Sequence, residues 1–568
     1  MRVDRQMLAE TKAAHNHPTY AAMSYVMGCG VQGKGMSVHV EDENGRAFLA
    51  LFDQYGNQSF GYSNERIVAA IREQLATGRL NSTKIMFEAE QIHLTERLAE
   101  LTGQRLPFAY LANSGGETID NALKLARAAT GRPAFVTAAG CFHGKTFAAL
   151  SASGRPEHAA YFQPFLESFR QVPFGDVAAL EQAIGTDTAA VLLEPVQAEG
   201  GVIVPPPDYL RQVRSLCDEA GALLILDEMQ TAFGRCGTFF AYEQFDVVPD
   251  LLCVGKAFGG GMLPISAVLG TEAVWRSLAA LPSTFGSSLG GNPLSCRVGL
   301  ETIAIASQES FLDAVREKGR LIERRLRDLA ESFPDLVETH RGLGMMHGLV
   351  FHNEALSGLV LRLLLQRGVM STYSLYNNRV LRVQPPMVIS PDELERGLVS
   401  LAETLDAVRA HRERQRAGEE LGLSGLTRRS RLGHPAERVR ALLSATPHLL
   451  DPFALTPERP RTLPVEPEFP GTLGDDAVIW SDRLELPGDG VRLAAQANWL
   501  WTRLERSVLV GDAGDGCCEL EIRLAWDAGT GPYEGMLGGP IGYFAANRLD
   551  ELLAAMETRL EKERDETR

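Results

Sequence analysis

"LLCVGKAFGGGMLP", residues 251–264, decides how the rest of the chain is read. An apolar run ends in a single lysine, Lys256, and three consecutive glycines, Gly259, Gly260 and Gly261, follow it. A lysine in that setting gives up hydration, and glycines give up backbone entropy on folding. Both costs point to a main chain that something approaches closely and to an amine that reacts. Upstream, "ALLILDEMQTAFGRCG" (222–237) carries another apolar run, ended by Asp227. With "AFVTAA" (134–139) and "AAVLLEPV" (189–196), these runs alternate with amphipathic helical segments between residues 90 and 300. Near-continuous apolar strands alternating with helices predict an α/β fold whose parallel sheet is covered on both faces.

Asp227 then falls at the carboxyl edge of the sheet, where open α/β folds place ligands. Alone it would read as the cap of the next turn. Lys256 follows 29 residues later at the end of "DLLCVGK" (250–256), so an acid and an amine can face each other across a bound molecule. A cofactor with an aldehyde and a ring nitrogen needs both. A desolvated lysine shifts from its usual pKa of about 10.4 towards neutrality and forms a Schiff base readily. A carboxylate against a pyridine nitrogen keeps it protonated, so the ring draws electrons from the substrate. Pyridoxal phosphate also needs a phosphate site. "ANSGGETIDNALKLARAA" (112–129) offers Ser114, Gly115 and Gly116 ahead of a helix, whose free amides and dipole favour an anion. The same stretch also suits an ordinary capped helix, with Glu117 in its first turn. "AAGCFHGKTFAALS" (138–151) mimics the end of a nucleotide-binding loop, but Ala139 replaces the required first glycine, and Cys141, Phe142 and His143 are bulky for a loop that wraps phosphates. An aromatic here can instead stack on a flat ring.

With 568 residues the chain is too long for one ordinary domain. Its net charge of −16 argues against nucleic acid and anionic membranes as partners. Eight scattered cysteines with no CxxC pair indicate a reducing, cytoplasmic setting and no structural metal. The start lacks the apolar core of a secretion signal, and no run approaches the roughly 20 apolar residues of a membrane span. "MSVHVEDENGRAFLALF" (36–52) predicts a hairpin turning at Asn44-Gly45, "NERIVAAIREQLATG" (64–78) a helix, and residues 309–332 a long helix. The domain reading is an N-terminal segment of the small domain (1–70), a large cofactor domain (71–305) and a small domain (306–410). An arginine- and proline-rich linker (411–475) and a C-terminal accessory domain (476–568) follow. Six prolines between 452 and 470 suit an extended strap. "CCELEIRLAW" (517–526) predicts a strand, and a charged helix is expected after Asn547.

Seven stretches, in this order, carry a resemblance: "NSGGETIDNALKLAR", "CFHGKT", "LLEPVQAEGG", "LLILDEMQTAFGRCG", "PDLLCVGKAFGGGMLP", "GGNPLSC" and "LRVQPPMVI". Residues 20–410 resemble the class III pyridoxal-phosphate-dependent aminotransferases, a group that includes ornithine, acetylornithine and 4-aminobutyrate aminotransferases. The resemblance implies the fold-type I architecture, with a large domain around a mostly parallel sheet, a small α+β domain and here an added α+β extension. It implies that Lys256 is the Schiff-base lysine and proton shuttle, that Asp227 partners the ring nitrogen, and that Gln230 contacts the ring hydroxyl. Phe142 would stack on the ring with His143 beside it, and Ser114, Gly115 and Gly116 would hold the phosphate. A hydroxyl before "GGNP", Ser288 or Thr284, would reach the partner subunit's phosphate. Arg382 would grip a substrate carboxylate in a two-pronged pair, and Glu199 would cover that arginine when an ω-amine enters. Tyr62 stands where the family often has histidine and is expected near the pocket mouth. The implied enzyme is a homodimer moving an amino group from an amine or ω-amino acid to a 2-oxo acid such as 2-oxoglutarate or pyruvate. A racemase or epimerase would use the same residues. The extension reads either as a packing appendage or as a module presenting a peptide or carrier-bound substrate.

Overall fold

The computed structural model describes residues 15, 32–83, 85–154, 162–277 and 286–416, together with the backbone of strands between 423 and 527. The N-terminal segment before residue 32, Thr284, the proline stretch 452–470 and the segment after Asn547 lie outside the described residues. The chain divides into two compact units, one made of Gly33–Glu41 and Arg46–Leu405, the other carrying the strands after Leu423. Among the described residues no helix is long and apolar enough to cross a membrane.

In the first unit β1 (Gln32–Met36), β2 (His39–Asp42) and β3 (Ala47–Ala50) come first. β2 and β3 pair antiparallel with His39 opposite Leu49, the expected hairpin. Its turn needs Gly45 in the left-handed region, at φ 77°. Seven strands then build the large sheet: β4 (Phe108–Ala112), β5 (Ala134–Ala138), β6 (Phe169–Val172), β7 (Thr188–Leu193), β8 (Leu223–Asp227), β9 (Leu251–Val254) and β10 (Ser266–Gly270). Their order is β4-β10-β9-β8-β7-β5-β6, parallel except for β10, which runs antiparallel to both neighbours. The four runs singled out by their apolar continuity are β5, β7, β8 and β9, and all four are buried along nearly their whole length. A helix, α1 (Gly115–Thr130), seals one face by packing Ile119, Leu123 and Ala126 with Phe135, Leu192 and Ile225.

The long helix α2 spans Glu309–Ser332, the predicted range. Beyond it β11 (Val337–Leu343), β12 (Met346–Phe351), β13 (Val369–Met370), β14 (Thr372–Ser374) and β15 (Asn377–Val383) follow. β11-β12-β15-β14 form an antiparallel sheet in which β15 is an inner strand, with Gly348 on one side of Arg382 and Thr372 on the other. β13 instead pairs parallel with β3, joining the N-terminal hairpin to this small domain. Helix α3 runs Pro391–Arg416. Tyr62 packs with Val40, Ala50 and Met370 in a small-domain core cluster, and its hydroxyl accepts from Gln54 at 3.4 Å.

The second unit holds a five-stranded antiparallel sheet of Leu423–Leu432, Arg483–Glu485, Val491–Trp499, Thr502–Gly514 and Cys517–Asp527. Leu423–Leu432, which composition assigns to a linker, is a strand along the full length of Cys518–Asp527. Its three arginines carry no strand signal, and pairing with a strand some ninety residues on leaves no local trace.

Candidate active site

β8 and β9 are parallel neighbours, with Asp227 beside Cys253. That register puts Asp227 and Lys256 together at the carboxyl edge of the sheet. Gly255 leads from β9 into Lys256 and packs closely on the segment after Asp227: a Cβ there would lie 2.6 Å from Met229 Sδ. Lys256 itself has φ 49°, in the left-handed region that costs a non-glycine residue of order 1 kcal/mol or more. Lys256–Gly259 make a 3₁₀ turn, and Gly260 follows at φ 62°. A Cβ on Gly260 would meet Ile67 Cδ1 at 2.7 Å, and one on Gly261 would strike Gln58 and sit 3.0 Å from Asn57 O. Two of the three glycines therefore serve a tight turn and the close approach of this same chain, Gly260 against Ile67 of the helix Glu65–Thr77 and Gly261 against the turn at Asn57 and Gln58. The lysine stem passes Gly56, whose Cβ would stand 3.5 Å from Lys256 Cδ. Burial lowers the Lys256 pKa, and Arg382 adds to that, while Glu199 and Asp227 partly oppose it.

Asp227 is buried and fixed on both oxygens. Oδ2 lies 2.8 Å from His143 Nδ1, and Oδ1 accepts from Met229 N at 3.1 Å. Burial opposes charge on the His143 ring, but Cys141 and Asp227 beside it raise its pKa well above the ordinary imidazole value. His143 N is held by Ser153 Oγ at 3.1 Å. Glu194, one residue past the end of β7, accepts from Phe142 N at 3.0 Å and Ala198 N at 3.1 Å. It is pushed up to about 7, first by burial and then by Asp227, against the pull of His143. The Phe142 ring meets Tyr376 edge-on, centroids 5.7 Å apart.

Ser114 caps α1 through its side chain, accepting from Glu117 N at 3.3 Å. The first-turn amides of Gly115 and Gly116 have no acceptor within the helix. Space for side chains is tight there: a Cβ on Gly116 would lie 2.9 Å from Thr146 Cγ2, and one on Gly115 3.2 Å from Met229 Sδ. Asn113 Nδ2 donates to Ser287 Oγ at 2.7 Å, and Ser287 also accepts from Gly290 N at 3.2 Å. Ser288 is exposed beside it. Ser287 is thus the hydroxyl this chain turns towards the start of α1.

Arg382, wholly buried on β15, donates through Nη1 to Glu199 Oε1 at 2.9 Å. Its Nη2 donates to Gln230 Oε1 at 2.8 Å and to Gln384 Oε1. Gln230 Nε2 closes the triangle on Glu199 Oε1 at 2.7 Å, so Gln230 lies between the carboxylate and the guanidinium. Glu199 Oε2 accepts from Leu375 N at 3.0 Å. Burial would raise the Glu199 pKa, yet Arg382 and Lys256 hold it below the usual carboxylate value. The Arg382 Nε–H is buried with no acceptor. Behind this pair, Arg235 Nη2 and Asp53 Oδ2 form a second buried ion pair at 2.6 Å.

The structure thus brings the half-buried Lys256 together with the buried Asp227, His143, Glu199, Gln230 and Arg382, with Ser114, Gly115 and Gly116 at the start of a helix packed on the same sheet. Asp53, Glu194, Ser287, Tyr376 and Gln384 were not singled out from the sequence. Glu194 could have been, because it follows an apolar strand as Asp227 ends one. Asp53 and Gln384 are 331 residues apart and carry no local signal.

A half-buried amine just past a strand end, a fixed carboxylate on the neighbouring strand and a glycine cradle at a helix start fit an aldehyde, a ring nitrogen and a phosphate respectively. Fold and site together define a fold-type I pyridoxal-phosphate enzyme. The chain belongs to the class III aminotransferase family, whose model matches residues 20–405. It is 38% identical over 373 residues to a putrescine aminotransferase from Pectobacterium atrosepticum, covering 64% of this chain and 80% of that one. An ornithine aminotransferase structure from Toxoplasma gondii, described with partial occupancy of PLP, matches with TM-score 0.68 and 28% identity over 72% of this chain and 96% of that one. N-acetylornithine aminotransferase from Stenotrophomonas maltophilia matches with TM-score 0.58 and 30% identity, over 67% and 97%. The protein is a pyridoxal-phosphate-dependent aminotransferase.

Proposed function

We propose that the enzyme takes the amino group from a diamine or ω-amino acid and delivers it to a 2-oxo acid, 2-oxoglutarate or pyruvate. Pyridoxal phosphate supplies an aldehyde and an electron-withdrawing ring. Lys256 Nζ would hold that aldehyde, and its lowered pKa favours the free base that such a bond needs. The same nitrogen, once free, would take the proton from the donor carbon that bears the reacting amine. Asp227 would face the ring nitrogen, with His143 keeping the carboxylate in place. The Gly115 and Gly116 amides would hold the phosphate, and Phe142 would cover the ring.

The observation that carries the substrate reading is the buried Glu199–Arg382 pair at 2.9 Å. While paired, it offers a donor no net positive charge, which suits a neutral or cationic distal end. Once Glu199 leaves, Arg382 can take an acceptor carboxylate in a bidentate pair, and its unpartnered Nε–H is a donor ready for it. A racemase has no use for such an exchange. The named relative supports the diamine end of the donor class.

We also read the enzyme as a homodimer in a reducing cytoplasm. Ile85, Met86 and Phe87 are consecutive and 94%, 75% and 97% exposed, an apolar run that suits burial against a second copy. Ser288, or Thr284 outside the described residues, would supply the hydroxyl for the partner's phosphate. Five buried free cysteines suit a reducing compartment. The C-terminal extension serves either as a packing appendage or as a module presenting a peptide- or carrier-bound donor, and a lysyl peptide among the donors separates the two. The test is a screen of full-length holoenzyme with putrescine, ornithine, 4-aminobutyrate and a lysyl peptide, each against 2-oxoglutarate and pyruvate, following both keto product and aminated acceptor. Racemised amino acid without aminated acceptor would sink the transaminase reading.

A further inference from the structure

Gln384 stands two residues beyond Arg382, and in an extended segment such positions share a face. Its backbone is fixed, with N donating to Leu51 O at 2.9 Å and a parallel bridge to Phe52. Its side chain is wholly buried between two charged groups. Nε2 donates to Asp53 Oδ1 at 3.0 Å, and Oε1 accepts from Arg382 Nη2. The amide cannot be turned round, because a carboxylate only accepts and a guanidinium only donates. Asp53 is itself immobilised by Arg235 at 2.6 Å, Ser59 Oγ at 2.7 Å and Gly56 N at 2.8 Å. Arg235 in turn donates to Met345 O and Pro385 O.

The three acceptors on Arg382 therefore differ. Glu199 is the charged one and the one an incoming carboxylate displaces. Gln230 is bonded to Glu199, so it loses a partner whenever Glu199 leaves. Gln384 depends on neither. We infer that Gln384, oriented by Asp53, is a positioning residue that keeps the Arg382 guanidinium in place after Glu199 withdraws. Being neutral, it does so without cancelling the charge the acceptor must find. The inference rests on Arg382 being the carboxylate grip.

The test uses full-length enzyme reconstituted with pyridoxal phosphate, with the donor and acceptor half-reactions measured separately by cofactor absorbance. Gln384→Met, similar in length but without an acceptor, raises the half-saturating concentration of 2-oxoglutarate about tenfold and that of the amine donor less than twofold. In an Arg382→Met background the same substitution adds nothing, the signature of a residue acting through another. If the methionine variant melts early, Gln384→Asn, which keeps a buried amide too short to reach, gives the same selective rise. Equal shifts in both half-reactions, no shift, or additivity with Arg382→Met overturns the inference. A flat response to Arg382→Met alone overturns the reading of Arg382 and this inference with it, whereas a flat response to Gln384→Met beside a large one to Arg382→Met overturns the inference alone.

Discussion

Asp227 and Glu199 are both buried carboxylates, one on the large sheet and one facing the small domain, and they are held in opposite ways. Asp227 meets the His143 ring at 2.8 Å and the Met229 amide, and among the described residues no arginine is paired with it. Glu199 meets Arg382 at 2.9 Å, a partner that a substrate carboxylate can take over. The first arrangement suits a charge that must stay through the whole cycle, the second a charge that must change hands. Buried ion pairs gain little stability over apolar packing of the same shape, so exchange of partners is the better account of why Glu199 and Arg382 are buried together.

Both ends serve Lys256, and removing it gives the largest effect. Lys256→Ala should lose at least about 10⁴-fold in turnover, since both the covalent step and the proton transfer use this amine. Borohydride treatment of the parent holoenzyme followed by peptide mass mapping should label Lys256 and leave the variant unlabelled. Asp227→Asn should cost about 10²–10³-fold in the turnover of both half-reactions alike, because a fixed charge acts whichever substrate is bound. Glu199→Gln should split them. It keeps a hydrogen bond to Arg382 but leaves the guanidinium charge unmatched, so kcat/KM for a diamine falls about tenfold while the acceptor's half-saturation stays or drops. If Asp227→Asn split the half-reactions, or Glu199→Gln moved them together, the contrast between the two carboxylates would be lost.

The permanent end was more legible in the sequence than the exchangeable end. Asp227 and Lys256 terminate apolar strands, and a parallel sheet converts that single pattern into a location. Ser114, Gly115 and Gly116 announce themselves as the cap and first turn of a helix. The fold followed for the same reason: β5, β7, β8 and β9 need burial on two faces, and that need is written in each strand separately. Glu199 and Arg382 have no such local mark and were reached only through resemblance. The groups behind them, Asp53, Arg235 and Gln384, come from three distant parts of the chain, and only their packing creates the relation. The "GGGM" run shows the opposite failure. A local pattern was read correctly as close approach, but what approaches Gly260 and Gly261 is Ile67 and Gln58 of this chain. In the extension, arginine content hid the strand Leu423–Leu432.

The smallest effect concerns Glu194, which belongs to the permanent end through Phe142 and sits within the field of His143 and Asp227. Its pKa is raised to about 7, first by burial, with Asp227 adding to it and His143 and two backbone amides opposing. In the unfolded chain a glutamate titrates near 4.3. Between those values the folded protein binds the extra proton, so this contribution to stability is fully present below about pH 4.3 and is lost as the pH rises through 7. Glu228, also pushed up to about 7 by burial while accepting from Ala241 N and Tyr242 N, contributes with the same sign from outside the site. Glu194→Gln cannot titrate. It keeps one oxygen for Phe142 N or Ala198 N and leaves the other amide poorly matched, so the variant is less stable at pH 5 by about 1–3 kcal/mol. Its deficit should shrink as the pH rises to 7.5, because the parent pays for a buried anion there and the variant does not. Melting temperatures of both proteins from pH 5 to 7.5 measure this, and Glu228→Gln serves as the comparison. Parallel curves would mean that Glu194 is already ionised at pH 5, and that the permanent end holds two buried anions around one imidazole.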